Sequence, residues 1–349
     1  MSAQLSAEDV TLPAPRQSSS PFGWGWDAMP QPARGARLPG PRFVSRELVH
    51  KSAAERVLLT DGVRQTPDSF IIAAMLPRDH CLYQQDDSGW TDPMLPTEAL
   101  RQAGYYIQHR FYGVPETHKF ILGGVTLGID GTAPPSPAPW LPVNLRVTCT
   151  PTAKWTSRRL CMRLEVEVSV AGVVCGHGSL LSQAVDPRVY QAIRGRKAAS
   201  APHESVPFFG CPLSPGEVGR RRKEDVLLAD DGNADGWLLR LDDSNTEMVD
   251  HHVDHVPGMV VLEAFRQAAL AAARPPAGLR ASVVGLRSEF AAFCELGTPV
   301  RITASPQRGC LAADRMMVHV VAEQDGDEVA AGTVELRLCP DTSGGQDRR

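Results

Sequence analysis

From Leu160 to Val170 the side chains alternate without a break. Leu160, Met162, Leu164, Val166, Val168 and Val170 fall on one parity, and Cys161, Arg163, Glu165, Glu167 and Ser169 on the other. A period of two belongs to a strand with one face on a core, so this segment predicts a half-buried antiparallel strand. Met316–Ala322 and Val329–Leu338 flank Asp325-Gly326-Asp327 and predict a hairpin. Met259–Ala273 behaves differently: among MVVLEAFRQAALAAA only Glu263, Arg266 and Gln267 are polar. A helix so apolar is a buried one. It is expected over about Gly258 to Ala273, stopped by Pro275-Pro276, with a second helix over about Pro96 to Arg110. Met1 to about Pro41 is rich in Pro, Ser, Gly and Arg without sustained periodicity, which predicts disorder with Trp24 and Trp26 as its only anchors.

Two short motifs occur twice, in the same order. Glu-x-Val-Leu-Leu-x-Asp stands at Glu55–Asp61 and, 169 positions on, at Glu224–Asp230; Glu-Ala-[Leu/Phe]-Arg-Gln-Ala stands at Glu98–Ala103 and, 165 positions on, at Glu263–Ala268. A repeat of this length means one supersecondary unit used twice. Each half reads as a short strand, one long apolar helix and several antiparallel strands. The fold class is α+β, a curved antiparallel sheet wrapped around a central helix in each half. The expected organisation is an N-terminal extension over 1–41, a first domain over 42–190, a linker over 191–218, a second domain over 219–340 and a tail over 341–349. Pro, Gly, Ser and basic residues in Arg194–Arg222 suggest the linker. Its Arg220-Arg221-Arg222-Lys223 run reads as a solvated basic patch, or as a docking surface for an acidic carrier protein.

Charge and cysteine usage narrow the function. The 349 residues carry 36 Lys and Arg against 40 Asp and Glu, a net charge of −4, which argues against a nucleic-acid binder working through an overall basic field. No apolar run approaches the roughly 20 residues of a membrane span, and the N-terminus lacks a secretory signal pattern. The 8 cysteines form no Cys-x-x-Cys pair, so a zinc ribbon or disulfide scaffold is not expected and reduced cytoplasmic thiols are.

On the second helix Glu263, Arg266 and Gln267 share one face, placing a carboxylate, a guanidinium and an amide on a buried stripe. The bland alternative is an internal Glu263–Arg266 ion pair. The first helix repeats the set as Glu98, Arg101 and Gln102. Two copies fit two sites, or one composite site at a pseudo-twofold interface. Asp250-His251-His252-Val253-Asp254-His255-Val256-Pro257-Gly258 runs into the second helix and offers imidazoles for acid–base chemistry. The helix N-terminus near Gly258 offers N–H groups for an oxyanion or phosphate. Arg78-Asp79-His80 occupies the matching place in the first half. A metal held by His251 and His255 is a competing reading, weakened by Pro257 and the lack of a His-Glu-x-x-His pattern. Cys81 reads as a structural thiol rather than a nucleophile.

The run from His255 through Pro257-Gly258 to Glu263 and Gln267 resembles the helix start of hotdog-fold β-hydroxyacyl-carrier-protein dehydratases. His251 is the best counterpart of the dehydratase histidine, with a loop to Pro257 about two residues shorter; His80 is a looser one. The closer resemblance is to the A-factor biosynthesis hotdog family, the tandem-hotdog γ-butyrolactone signal synthases. It rests on Val49-His50-Lys51 with Val57–Asp61, Leu100–Gly104, Phe111–Pro115 with His118, and Asp250–Met259 leading into Glu263–Gln267. The resemblance implies a tandem hotdog and an acyltransferase that condenses a β-ketoacyl group, delivered on acyl carrier protein, with dihydroxyacetone phosphate or a similar acceptor. The product would be a phosphorylated β-ketoester on the way to a butyrolactone, butenolide or furan signal.

On that reading His251 or His255, oriented by Asp250 or Asp254, is the base. Glu263 assists, with Glu98 and His80 as first-half counterparts. Arg266 or Arg101 holds the phosphate, Gln267 and Gln102 bind substrate, and N–H groups near Gly258 stabilise the oxyanion. No cofactor, metal, nucleic acid or membrane is expected, and the chain would be a monomeric pseudo-dimer or a homodimer. A dehydratase or thioesterase on acyl carriers, and a non-catalytic acyl-ligand binder, are the alternatives.

Overall fold

The computed structural model describes residues 44–83, 92–129, 138–195, 210–232, 236–242, 245–251, 253–307 and 314–340. Trp24, Trp26 and His252 lie outside them. The first half comprises β1 (Leu59–Arg64), β2 (Ser69–Pro77), α1 (Met94–Tyr112), β3 (Lys119–Ile129), β4 (Trp140–Pro151), β5 (Arg159–Val170), β6 (Val173–Val185) and α2 (Pro187–Arg194). The second comprises β7 (Leu228–Asp230), β8 (Gly236–Leu239), α3 (Gly258–Ala273), β9 (Leu279–Phe290), β10 (Arg301–Gln307), β11 (Arg315–Gln324) and β12 (Asp327–Pro340).

The strands form one antiparallel sheet in the order β1-β2-β4-β5-β6-β3-β9-β12-β11-β10-β8-β7. Read outward from its middle, the order is the same in both directions. Each half is a copy of the other, and the copies join through β3 and β9, with Gly124 opposite Glu289 and Gly128 opposite Gly285. The alternating segment is β5: Leu160, Met162, Leu164, Val166, Val168 and Val170 are all at most 4% exposed. The hairpin between β11 and β12 turns on Asp325 and Gly326, both at positive φ.

α1 and α3 lie on the sheet, each on its own half. Phe70, Ile72, Leu100, Ile107, Leu145 and Leu164 belong to one core; Phe265, Ile302, Val318 and Val320 belong to the other. Burying one such side chain stabilises by about 1.5–3 kcal/mol, so two sizeable cores fix where the two helices sit. α1 stops at Gly113, whose left-handed backbone (φ 69) lets its N–H return to Gln108 O. α3 stops at Arg274, also left-handed, before the two prolines. α2 was not foreseen in the sequence, although Asp186-Pro187 carries its signal: the Asp186 carboxylate accepts the Val189 N–H at 2.7 Å, and proline suits the first helical position.

Composition assigns residues 191–218 to a linker, of which 191–195 and 210–218 are described, the first stretch including the end of α2. In the structure Pro215–Val218 is a 3₁₀ turn that packs on α3, the counterpart of the Arg46–Val49 turn that opens the first half. The basic run is corrected with it: Arg220 is 7% exposed and points inward, leaving Arg221, Arg222 and Lys223 at the surface.

Candidate active site at the seam between the halves

The two opening turns each end in a left-handed residue followed by a cation: His50 (φ 54) and Lys51 in the first half, Gly219 (φ 64) and Arg220 in the second. Glycine accepts that backbone readily, whereas a side chain there costs about 1–2 kcal/mol. The repeated glutamines clamp the same segments. Gln102 accepts the Leu58 N–H (2.9 Å) and donates to Arg56 O and Glu98 Oε1 (2.9 Å each). Gln267 accepts the Leu227 N–H (2.8 Å) and donates to Asp225 O (2.8 Å) and Glu263 Oε1 (2.7 Å). Both are fully buried with both amide hydrogens committed. The expectation that Gln102 and Gln267 bind substrate is therefore corrected: they tie the opening segment of each half to its helix.

A cavity of about 1000 Å³ runs along the seam. From the first half it is walled by His50, Lys51, His80, Glu98, Arg101 and Lys119, and from the second by Asp250, His251, Asp254, His255 and Gly258. Glu98 is its hub. Arg101 grips it with two hydrogen bonds of 2.7 Å, and Lys51 Nζ stands 3.0 Å away and reaches on to Asp250 at 3.6 Å across the seam. Burial alone would raise the Glu98 pKa, but Arg101 and Lys51 outweigh it and hold the carboxyl below its ordinary range. Glu98 is thus a fixed anion that aims two cations, and a weak base.

Both aspartate–histidine pairs of the second half form. Asp250 meets His251 Nδ1 at 2.5 Å, and the ring is 56% exposed. Burial pushes the Asp250 pKa up, but the His251 hydrogen bond and Lys51 bring it down to about 2. Asp254 meets His255 Nδ1 at 2.7 Å and accepts Tyr190 OH (2.9 and 3.0 Å) and Arg194 Nε (3.1 Å). Arg194 also holds Glu295 at 2.7 Å, so α2 braces this loop from the first half. α3 then begins at Gly258. Val260 and Val261 both donate to Pro257 O, and the amides of Gly258 and Met259 head the helix. A Cβ at Gly258 would lie 2.9 Å from Leu122 Cδ2, so glycine lets this terminus approach β3.

The pseudo-equivalent place in the second half is closed. Glu263 is fully buried, with Arg220 Nε and Nη2 on its Oε1 at 2.8 and 2.5 Å. Arg220 also donates to Leu82 O (2.5 Å) and lies over the Tyr83 ring at 5.1 Å. Arg266 stands 3.8 Å from Glu263 and instead holds Asp92 at 2.6 Å. Glu263, Arg266 and Gln267 do not line the cavity. Glu98, Arg101, His80, His251, His255, Asp254 and Gly258 do. His80 Nδ1 accepts the N–H groups of Leu82 (3.2 Å) and Tyr83 (3.3 Å), which shapes the loop closing over Glu263.

Lys51, Lys119, Tyr190 and Arg194 were not singled out as site residues, since none sits in a periodic pattern. The signal that could have found Lys51 is the 169-residue repeat, which lays it on Arg220. Among the described residues one trio, His80, Cys81 and Glu247, brings metal-ligand atoms within 4.8 Å of one another. Arg56 covers the Glu247 carboxylate with bonds of 2.8 and 3.2 Å, and burial with Glu247 pushes the Cys81 thiol up to about 11. That donor set is not prepared for a cation, nor Cys81 for nucleophilic attack.

The family model of the A-factor biosynthesis hotdog domain matches residues 35–186 and again 203–340. A 2-oxo-3-(phosphooxy)propyl 3-oxoalkanoate synthase from Streptomyces virginiae is 33% identical over 84% of this chain and 97% of its own length. One of the same name from Streptomyces coelicolor is 30% identical over 83% of this chain and 90% of its own. Among solved structures, the 12:0-ACP thioesterase from Umbellularia californica aligns over 77% of this chain and 98% of that chain at 13% identity, with a TM-score of 0.46. With both halves matched by one domain model, and full-length relatives at this identity, the chain belongs to the A-factor biosynthesis hotdog family.

Proposed function

We propose that this chain is an acyltransferase that moves a 3-oxoacyl group from a thioester to the hydroxyl of a phosphorylated triose, with dihydroxyacetone phosphate as acceptor and acyl carrier protein as donor. The product is a phosphorylated 3-oxoester, the precursor of a γ-butyrolactone-type signal. The printed name of the relatives describes such an ester, a 3-oxoalkanoate of a 2-oxo-3-(phosphooxy)propyl group.

The observation that carries the reading is the pair of cations aimed into one cavity, Lys51 and Arg101 on Glu98. Arg101 spends one fork, Nε and Nη2, on Glu98, and the remaining guanidinium N–H groups and the Lys51 ammonium are donors suited to phosphate oxygens. Opposite them, the N–H groups heading α3 at Gly258 suit the oxyanion formed when the carbonyl is attacked. In the reaction the hydroxyl oxygen bonds to the carbonyl carbon, the C–S bond breaks, and the hydroxyl proton travels by an imidazole of the wall to the departing sulfur. His251 and His255, each fixed by its own aspartate, flank the thioester end. Arg101 rather than Arg266 holds the phosphate, and Glu98 rather than Glu263 is the carboxylate of the working site.

Mass spectrometry of full-length protein with a 3-oxoacyl thioester and dihydroxyacetone phosphate tests this. A phosphorylated 3-oxoester, formed by wild type and much reduced in Arg101→Met at acceptor concentrations near the wild-type KM, is the expected result. Free acid or enoyl thioester in its place would make the chain a thioesterase or dehydratase.

A further inference from the structure

His50 belongs to neither aspartate–histidine pair, yet its ring lies on the cavity wall and its hydrogen bonding leaves one outcome. His109 Nδ1 is 2.7 Å from Val114 O; a carbonyl only accepts, so Nδ1 carries the hydrogen. Burial lowers the pKa of both rings, and nearby His109 and Arg101 add to it at His50, which is pushed down to about 3. Both are therefore neutral, and His109 Nε2 is a lone pair. His50 Nε2, 3.0 Å away, must donate to it, which leaves His50 Nδ1 bare. No described residue hydrogen-bonds that atom. The ring is fixed between Tyr105, His109 and Phe120 at centroid distances of 5.1, 5.1 and 5.2 Å.

The backbone makes the same point independently. The counterpart of His50 in the closed half is Gly219, at nearly the same left-handed φ. The open half keeps a strained histidine where glycine would fold more easily, and such strain collects at functional positions. Lys51 follows His50 in the chain, and Tyr105, Arg101, Lys119 and His251 are further titratable groups facing it, besides His109.

We propose that His50 Nδ1 is the base that takes the proton of the acceptor hydroxyl, with His109 as the positioning residue that holds its tautomer. The proposal rests on the acyl-transfer reading. As the hydroxyl oxygen bonds to the carbonyl carbon its proton passes to Nδ1; as the C–S bond breaks the thiolate takes that proton, and the ring is neutral again. Burial suppresses the basicity of His50 first, and the cations around it lower it further while the site is empty. A phosphate seated on Arg101 and Lys119 offsets them, so the base strengthens only when a phosphorylated acceptor is present. Water carries no phosphate, and the thioester is spared hydrolysis. An exposed base such as His251 could not make that distinction.

The test is steady-state kinetics of His50→Gln with a 3-oxoacyl thioester and dihydroxyacetone phosphate, beside nitrogen-15 NMR of the wild-type imidazoles. Glutamine keeps a donor toward His109 and removes the ring base. Ester kcat should fall by about 10²–10⁴-fold, with the acceptor KM and the slow thioester hydrolysis each within about threefold. A kcat within about threefold of wild type, or a loss carried wholly by acceptor KM, overturns the assignment. In the NMR arm His50 should be the Nε2–H tautomer and not titrate above about pH 5, and inorganic phosphate should bring its titration into that range. The Nδ1–H tautomer, or a titration untouched by phosphate, refutes it even if His50→Gln fails to fold. Wild type that makes no ester overturns the acyl-transfer reading itself, an outcome distinct from either.

Discussion

Replacing Arg220 with methionine removes the guanidinium and leaves a carboxylate with no exposed surface. The side chains of Arg220 and Glu263 are 2% and 0% exposed, so water screens neither. The variant loses a charge-assisted contact to Glu263 and a hydrogen bond to Leu82 O, each worth about 1.5–3 kcal/mol. Stranding one partner of a buried pair typically costs about 3–5 kcal/mol, and we adopt that range. For a chain of this size it corresponds to a Tm lower by roughly 4–7 °C. Glu263→Gln in the Arg220→Met background removes the stranded charge and should recover most of the loss, because a neutral amide needs no cation. Urea unfolding of wild type, both single variants and the double variant, followed by circular dichroism, measures the coupling. The folded double variant should still form ester at close to the wild-type rate, since neither side chain reaches the cavity. A loss below about 1 kcal/mol, no recovery in the double variant, or a folded double variant without activity would each refute the reasoning.

Gln102→Leu leaves the Leu58 N–H and Arg56 carbonyl buried without their partner and should cost about 2–5 kcal/mol; urea unfolding showing less than about 1 would remove its role as a clamp. Arg101→Met should raise the acceptor KM at least about tenfold while the thioester KM stays close to wild type, and calorimetry with dihydroxyacetone phosphate should show weakened binding; equal affinity would move the phosphate elsewhere. Against the effect of burial, Arg101 and Lys51 hold the Glu98 carboxyl, His251 and Lys51 the Asp250 carboxyl, and His255 the Asp254 carboxyl below their ordinary values of 4.5, 3.8 and 3.8. Their contribution is complete above those values and is lost as pH falls toward the folded ones, about 2 for Asp250. Urea unfolding should give less stability at pH 3 than at pH 6, and equal stability would contradict the network. Gly219→Ala places a Cβ 2.8 Å from Leu270 Cδ1 at a φ of +64 and should cost about 1–2 kcal/mol in the same assay without loss of turnover.

α1, α3, the β5 face and the β11–β12 hairpin were legible because each is written in a local period; α2 has a capping signal but no such period. The tandem plan was legible because two motifs recur at nearly one offset. The site was half legible. Both Glu-x-x-Arg-Gln sets are where the sequence put them, but what separates them is their company. Glu98 meets a lysine and faces a cavity; Glu263 meets an arginine and is sealed by Leu82 and Tyr83. Those neighbours come from elsewhere in the chain, and no period announces them. The second-half motif looks the stronger because of its histidine-rich approach, yet that approach lines the cavity with the glutamate of the other half. In the sequence His50 stands out only within Val49-His50-Lys51, since a left-handed backbone leaves no mark on a single residue name. Superposing the repeats lays it over a glycine, which was the available clue.

The join at β3 and β9 has an evolutionary consequence. Were the two halves identical subunits, every substitution would appear on both sides of that join, and any residue tuned for chemistry would also have to serve as filler. With both written into one chain they drift as separate loci. Lys51 and Arg220, His50 and Gly219, and the differing partners of Arg101 and Arg266 are what that freedom permits: one copy opens its carboxylate to a cavity while the other seals its own in the interior.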